Sequence, residues 1–409
     1  MSRSLEPRIA TDADFEPIGT LIARAFLSDT ETVDFERHRP LFEPERAHVI
    51  DDAGVPVATG AVRTRDLTVP GAVVPAAHVT GVAVASTHRR RGLLSSIMTT
   101  QLNAVREQGS EPIAVLWASE GAIYGRYGYG LASWAVGYDV DVRETAVPGG
   151  LPASARLRQA VPKEAVAELA GVLDRIRPDA PGLSSRSTKK WEFMTADAPS
   201  GRHGMSAENA VLYEHDGRVD GYARYRTQGG WGSNGPTGTV QVTEVVSATP
   251  EAHAALWRYL LSIDLARKVT YRFGAVDDPL PHMVTNPDGL GASLSPALWV
   301  RIVDVPGALA ARRYAVPVDV VIEVSDERLA GNAGRWRLVG DTESASCQAS
   351  DAEPDLSLDV AELGSVYLGG VSLTTLAATG LVTEHTTGAV PTVSAAFGWR
   401  RAPSALEIF

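Results

Sequence analysis

The chain has 409 residues, 44% of them hydrophobic and 21% charged, with a formal net charge of -11. This is the composition of an ordinary globular protein with length for about two to four domains. The acidic balance argues against a chain-wide nucleic-acid role and favours cationic partners, and the single cysteine, Cys347, excludes an internal disulfide and cysteine-based metal clusters.

The opening "MSRSLEPRIATDADFEP" has no apolar leader core, and no later run approaches the ~18 apolar residues of a membrane span. A soluble cytoplasmic protein without membrane partners is expected. Phe15, Ile18, Ile22 and Phe26 recur at helical spacing behind Thr11 or Asp12 as N-cap. "RAHVIDDAGVPVATGAVRTRDLTV" reads as strand, turn and strand, with Asp51, Asp52 and Gly54 in the turn. "HVTGVAVASTHRRRGLLSSIM", His78 to Met98, passes from a strand through three arginines and a glycine into a helix. "EPIAVLWAS" is a further strand, "EGAIYGRYGYGLAS" a short helix broken by glycines, and "WAVGYDVDVRET" a strand that closes the first segment. A linker follows at residues 145–154.

The second segment repeats this order. "PKEAVAELAGVLDRI" is a helix with Val166, Leu169, Leu173 and Ile176 on one face, and a hairpin turns at Asp216-Gly217. "GTVQVTEVVSATPEAHAALW" again leads a strand into a helix, but without the arginines and the glycine. A second boundary lies near residues 290–307. The remainder mixes β-branched runs such as "VPVDVVIEV" with helical patches in "VAELGSVYLG" and "VSLTTLAATG", an α+β pattern.

A strand that ends in arginines and a glycine and then starts a helix builds an anion site. The helix start leaves backbone N–H groups unpaired, glycine lets a ligand approach the main chain, and arginine adds charged donors. A pyrophosphate suits such a site, although an isolated Arg-Arg-Arg is more often a solvated surface run. The next loop carries Tyr124, Tyr127 and Tyr129, phenols with an ordinary pKa near 10 that could serve as general acids. A packed aromatic is the plain alternative for each. Ser119 suits an N-cap and Glu120 a helix-start charge. The nine histidines are scattered, so metal catalysis has no support, and His88 reads as a local hydrogen-bonding residue.

"RRRGLL" at Arg89 to Leu94 resembles the R-x-x-G-x-[GA] acyl-CoA loop of the GNAT superfamily of N-acetyltransferases, and "GVAVAST" resembles its V-x-V strand. Leu94 departs from the small residue usual at the end of that loop. "VAVASTHRRRGLLSSIM" followed by "ASEGAIYGRYGYG" is similar to the Eis (enhanced intracellular survival) family, and "LWVRIVDVPGALAARRY" to its entry into the last domain. The resemblance implies an α/β (α+β) protein with two tandem GNAT-like domains, the second degenerate, and a C-terminal domain similar to sterol carrier protein. The boundaries expected are 1–147, 148–292 and 293–409. It implies acetyl-CoA as co-substrate and no metal. The acetyl-CoA contacts implied are Val82, Ala83 and Val84 on the strand, then Arg89, Arg90, Arg91, Gly92, Leu93, Leu94 and Ser95, with Ser119 and Glu120. It places the general acid at Tyr124 and the base at the terminal carboxylate of Phe409. The activity implied is acetylation of primary amines on polyamine substrates such as aminoglycosides, by a homohexamer. Lysine side chains of proteins are an alternative acceptor. An apolar-ligand-binding protein with a vestigial acetyltransferase domain is the alternative from another class. Phe26 and Asp29 stand where an amine pocket could form, and Phe26 fits a core position equally well.

Overall fold

The computed structural model describes residues 5–31 and 34–409. The chain divides into two compact units, each interrupted in sequence. One comprises residues 1–133, 297–403 and 408–409, the other residues 134–296 and 404–407.

The first unit holds a seven-stranded sheet in the order Arg8–Ile9, Ala47–Asp52, Val55–Val69, Ala72–Val84, Ile113–Trp117, Leu298–Ile302, Gly130–Leu131. Alternation sorts its side chains to two faces. Ala47 and Val49 pack with Ile18 and Ile22 of the helix Phe15–Ala25, whereas Ile50 packs with Leu93 and Ile97 of the helix Leu93–Gln108. Gly109, at φ +70°, ends that second helix in the left-handed conformation that closes many helices. The expected N-cap at Thr11 opens a short 3₁₀ turn, Asp12–Asp14, that leads into the first helix. Phe26 lies beyond the helix end and is 52% exposed, so it is not core.

Most of this sheet is antiparallel. The strands Ala72–Val84 and Ile113–Trp117 are parallel, as a helical crossover requires. They pair only through Ala76↔Ile113, Ala77↔Ala114 and His78↔Val115. Beyond His78 the first of them keeps its other neighbour, through Ala61↔Thr80, Thr59↔Ala83 and Ala58↔Val84. A bulge interrupts that ladder between Thr59 and Ala61, opposite Gly81 at φ +60°. The two parallel strands thus part company toward their carboxyl ends.

The strand "WAVGYDVDVRET" corrects the sequence reading. Trp134–Asp141 does not close the first sheet; it pairs with Ala266–Gly274 and Ser293–Pro296 in the second. Leu298–Ile302 takes the vacant place, antiparallel to Ile113–Trp117 and to Gly130–Leu131. Alternating apolar residues mark a strand, but nothing local marks which sheet receives it.

The same unit carries a five-stranded sheet in the order Ala345–Ala349, Gly334–Gly340, Val318–Ser325, Leu356–Asp359, Val382–Glu384. The expected helical patches appear as Val360–Val366 and Leu373–Ala378, and a further helix spans Ala389–Phe397. Arg312 is fully buried among them. It donates to the carbonyls of Phe397 at 2.9 Å and Arg313 at 3.1 Å, and its guanidinium stands 4.8 Å from the Tyr314 ring and 4.7 Å from the Phe397 ring. Cation–π contacts and carbonyl dipoles replace a carboxylate partner there.

The second unit repeats the mixed pattern in the order Ser293–Pro296, Trp134–Asp141, Ala266–Gly274, Gly238–Ser247, Arg218–Gln228, Asn209–His215, Ala155–Ala160. The hairpin turns as read, with Asp216 and Gly217 both at positive φ. Trp257, on the helix Pro250–Leu261, is fully buried at the centre of its core. Buried charges are paired, Arg186 with Glu244 at 2.7 Å and Arg224 with Glu208 at 2.6 Å. Glu407 joins them through Arg186 at 3.3 Å and also pairs with Lys190 at 2.6 Å. No described helix is long and apolar enough to cross a membrane.

Candidate active site

Two loops leave the carboxyl edge of the parted strands, the place where open α/β sheets bind ligands. The first follows Val84. A 3₁₀ turn at Ser86–His88 leads into Arg89, which is extended, then Arg90 at φ +62° and Gly92 at φ +80°. Left-handed backbone at a non-glycine residue is sparsely populated, and such positions gather at functional turns. Two of the three residues immediately before the helix Leu93–Gln108 are thus left-handed. That helix has Gly92 as N-cap and no side-chain cap, so its first N–H groups face outward unclaimed. A Cβ on Gly92 would meet nothing within 4 Å, which leaves the approach open. Arg89, Arg90 and Arg91 are exposed, and among the described residues none of them has a carboxylate partner. His88 is tied down by Asp52 at 3.0 Å and Thr87 at 2.8 Å, the local hydrogen-bonding role expected of it.

The side chains of this stretch divide by role. Ala83 and Leu93 are buried, while Leu94, Val82 and Val84 pack partly against the core. Ser95 has its hydroxyl 3.1 Å from that of Tyr127. That bond joins the first turn of the helix directly to the second loop.

The second loop follows Trp117. Ser119 and Glu120 are exposed, and Glu120 precedes the short helix Gly121–Tyr124 without capping it through its side chain. A 3₁₀ turn, Gly125–Tyr127, completes the segment. Gly128, at φ +79°, turns the chain where a Cβ would stand 2.9 Å from the Arg301 guanidinium. At Gly130 a Cβ would meet the Ala361 carbonyl at 1.8 Å, which accounts for the second glycine of "YGYG".

The three tyrosines of this loop differ in their hydroxyls. Tyr127 is bonded to Ser95, and Tyr129 is sealed with no partner for its hydroxyl. Tyr124 buries its ring edge-on to Tyr129, centroids 6.0 Å apart, among Ala77, Val79 and Leu116. Its hydroxyl is not among the sealed orphans and has no hydrogen bond within the described residues. Burial, and secondarily Tyr127, push its pKa up to about 12, so the phenol keeps its proton at neutral pH.

The chain end lies on the other face of the sheet. The Phe409 ring meets His78 edge-on at 4.6 Å, and the Arg65 guanidinium lies 5.9 Å from it. Arg63 pairs with His78 and Arg65 with Ala76 across the ladder, all on the face opposite Val62 and Val79. His78 is fully buried, and its Nδ1–H donates to the Ala76 carbonyl at 2.8 Å. The terminal residue therefore rests at the point where the parallel strands last pair. It reaches that point as irregular chain, not as a closing strand.

Every site residue expected from the sequence lies in this unit, on the two loops, the parted strand or the chain end. Reading the sequence did not find Arg301, Asp326 or Arg328. Each lies far along the chain from the motif it touches, and no local spacing marks it.

Comparison with known proteins agrees with this architecture. Residues 6–132 and 182–302 each match an acetyltransferase (GNAT) domain, and residues 305–405 match a sterol carrier protein domain. An uncharacterized N-acetyltransferase of Streptomyces coelicolor, SCO2625, is 40% identical over 98% of both chains. The N-acetyltransferase Eis of Mycobacterium bovis is 34% identical over 90% of both. The crystal structure of Eis1 from Mycobacterium abscessus superposes with a TM-score of 0.82 at 32% identity, covering 99% of this chain and 100% of that one. With its two GNAT domains and its sterol-carrier-like third, this chain belongs to the Eis family of N-acetyltransferases.

Proposed function

We propose that the chain transfers the acetyl group of acetyl-CoA to primary amines of polyamine molecules, aminoglycosides among them, by direct attack. Acetyl-CoA supplies the activated thioester. The loop at Arg89 to Ser95 takes the pyrophosphate on main-chain N–H groups, with Arg90 and Arg91 as charged donors. The main chain of Val82 to Val84, unpaired on the side facing Ile113–Trp117, takes the pantetheine arm, and Ser119 and Glu120 stand exposed on the second loop. The amine nitrogen bonds to the acetyl carbon, the carbon–sulfur bond breaks, and Tyr124 protonates the departing thiolate. The amine proton passes to the terminal carboxylate of Phe409. The net charge of -11 favours polycationic acceptors. On the family resemblance alone, the assembly is read as a cytoplasmic homohexamer.

The observation that carries this reading is the Tyr124 hydroxyl, protonated and without a partner, on the same sheet edge as the anion loop. Tyr124→Phe keeps the ring and removes the proton. Turnover should fall about 10²- to 10⁴-fold while acetyl-CoA affinity changes little. A short extension after Phe409 should inactivate a folded enzyme, and the same extension at the N-terminus should not. Equal turnover of the two tagged forms at matched thermal stability would remove Phe409 from the chemistry.

A further inference from the structure

The sterol-carrier-like segment reaches the tyrosine loop by a short path of buried charge. Asp326 closes both carboxylate oxygens on the Arg301 guanidinium, at 2.7 Å each. Neither residue is more than 7% exposed. The same carboxylate accepts the main-chain N–H of Arg328 at 2.9 Å and of Leu329 at 3.0 Å, and the Asn332 amide at 2.9 Å. Asp326 therefore fixes where the Arg328 backbone stands.

Two contacts carry that order to the loop of Tyr124. Arg328 donates its Nε to the Arg126 carbonyl at 3.3 Å, and its guanidinium lies 5.6 Å from the centre of the Tyr127 ring. Arg301 fills the space against Gly128. Tyr124 is two residues from Arg126, three from Tyr127 and four from Gly128, and its carbonyl accepts the Tyr129 N–H at 3.3 Å. The glycines at 121, 125, 128 and 130 leave this loop few side chains of its own to hold it.

We propose that Arg328 is a positioning residue for Tyr124, with Asp326 as its anchor, and that this is a role of the sterol-carrier-like domain in acetyl transfer. The inference rests on Tyr124 as proton donor. A donor must meet the leaving sulfur within hydrogen-bond reach, and a misplacement of about 1 Å can cost on the order of 100-fold in rate. Arg328 is exposed, so its side chain can be removed without opening a cavity.

The test is steady-state kinetics of the full chain with acetyl-CoA and an aminoglycoside. Arg328→Ala should lower kcat about 10-fold, with the KM for acetyl-CoA within about twofold and the melting temperature unchanged. Arg328→Lys, which keeps a cation over the Tyr127 ring, should recover part of the loss. In the Tyr124→Phe background Arg328→Ala should cost nothing further, because the group it positions is gone. Full turnover of Arg328→Ala beside an impaired Tyr124→Phe would overturn the positioning role alone. So would losses that multiply in the double variant. Full turnover of Tyr124→Phe would overturn the donor assignment and the positioning role together.

Discussion

Arg90 and Arg91 hold their guanidiniums in solvent beside a helix start that no side chain caps. Replacing both with Ala should weaken CoA binding by about 1.5–3 kcal/mol for each charged phosphate donor lost. Thermal stability without ligand should barely move, because exposed unpaired charges contribute little to folding. Calorimetry giving unchanged CoA affinity would remove the arginines from the site. The residue types of this loop were legible in the sequence because arginine, glycine and a helix start stand next to each other. The tyrosines were less so. Tyr124, Tyr127 and Tyr129 carry the same group within six residues, and what separates them is the fate of each hydroxyl. Ser95 claims one and the core seals another, which no spacing reveals.

The two units offer a comparison of one element in two states, the turn from strand into helix. In the first, Gly92 opens the helix Leu93–Gln108 and leaves the N–H groups unclaimed. In the second, Thr249 caps the helix Pro250–Leu261 by accepting the Ala252 N–H at 3.1 Å, and Pro250 has no N–H to offer. His253 occupies the same first turn, bonded to Ser247 and Asp278 at 3.1 Å each. The second turn is closed by its own side chains and has no arginine. Calorimetric titration with CoA should therefore give one site per chain, and two equivalent sites would show that the second turn still binds. This contrast was readable as "HRRRGLLS" against "PEAHAALW", since caps and breakers act locally. Helix faces were equally readable, with Leu169 and Leu173 buried as their spacing requires. Strand partners were not. Trp134–Asp141 has the alternation of any half-buried strand, and its place in the second sheet depends on residues more than a hundred positions away.

Taken as a whole, the molecule buries many phenols. Burial raises the pKa of Tyr124 to about 12 and pushes Tyr129, Tyr138, Tyr222, Tyr271, Tyr314 and Tyr367 further upward. In the unfolded chain the same groups ionise near pH 10. Their contribution to stability is complete below that pH. Above it the unfolded state releases protons that the folded state retains, and stability falls as pH climbs through 10 toward 12. A melting temperature flat from about pH 7 to 9 that then drops steeply is expected, with tyrosinate absorbance rising together with unfolding. Ionisation of these seven phenols while the protein stays folded would contradict the sealed environments. The exchange of strands between the two sheets has a consequence for how the protein is made. Leu298–Ile302 completes the first sheet, so while a ribosome works from Trp117 to Ile302 the edge of Ile113–Trp117 has no partner on that side. At about 5–20 residues per second this lasts on the order of ten seconds or more. Through that interval the nascent chain presents an apolar edge, the kind of surface that invites pairing with a neighbouring polysome product or capture by a chaperone.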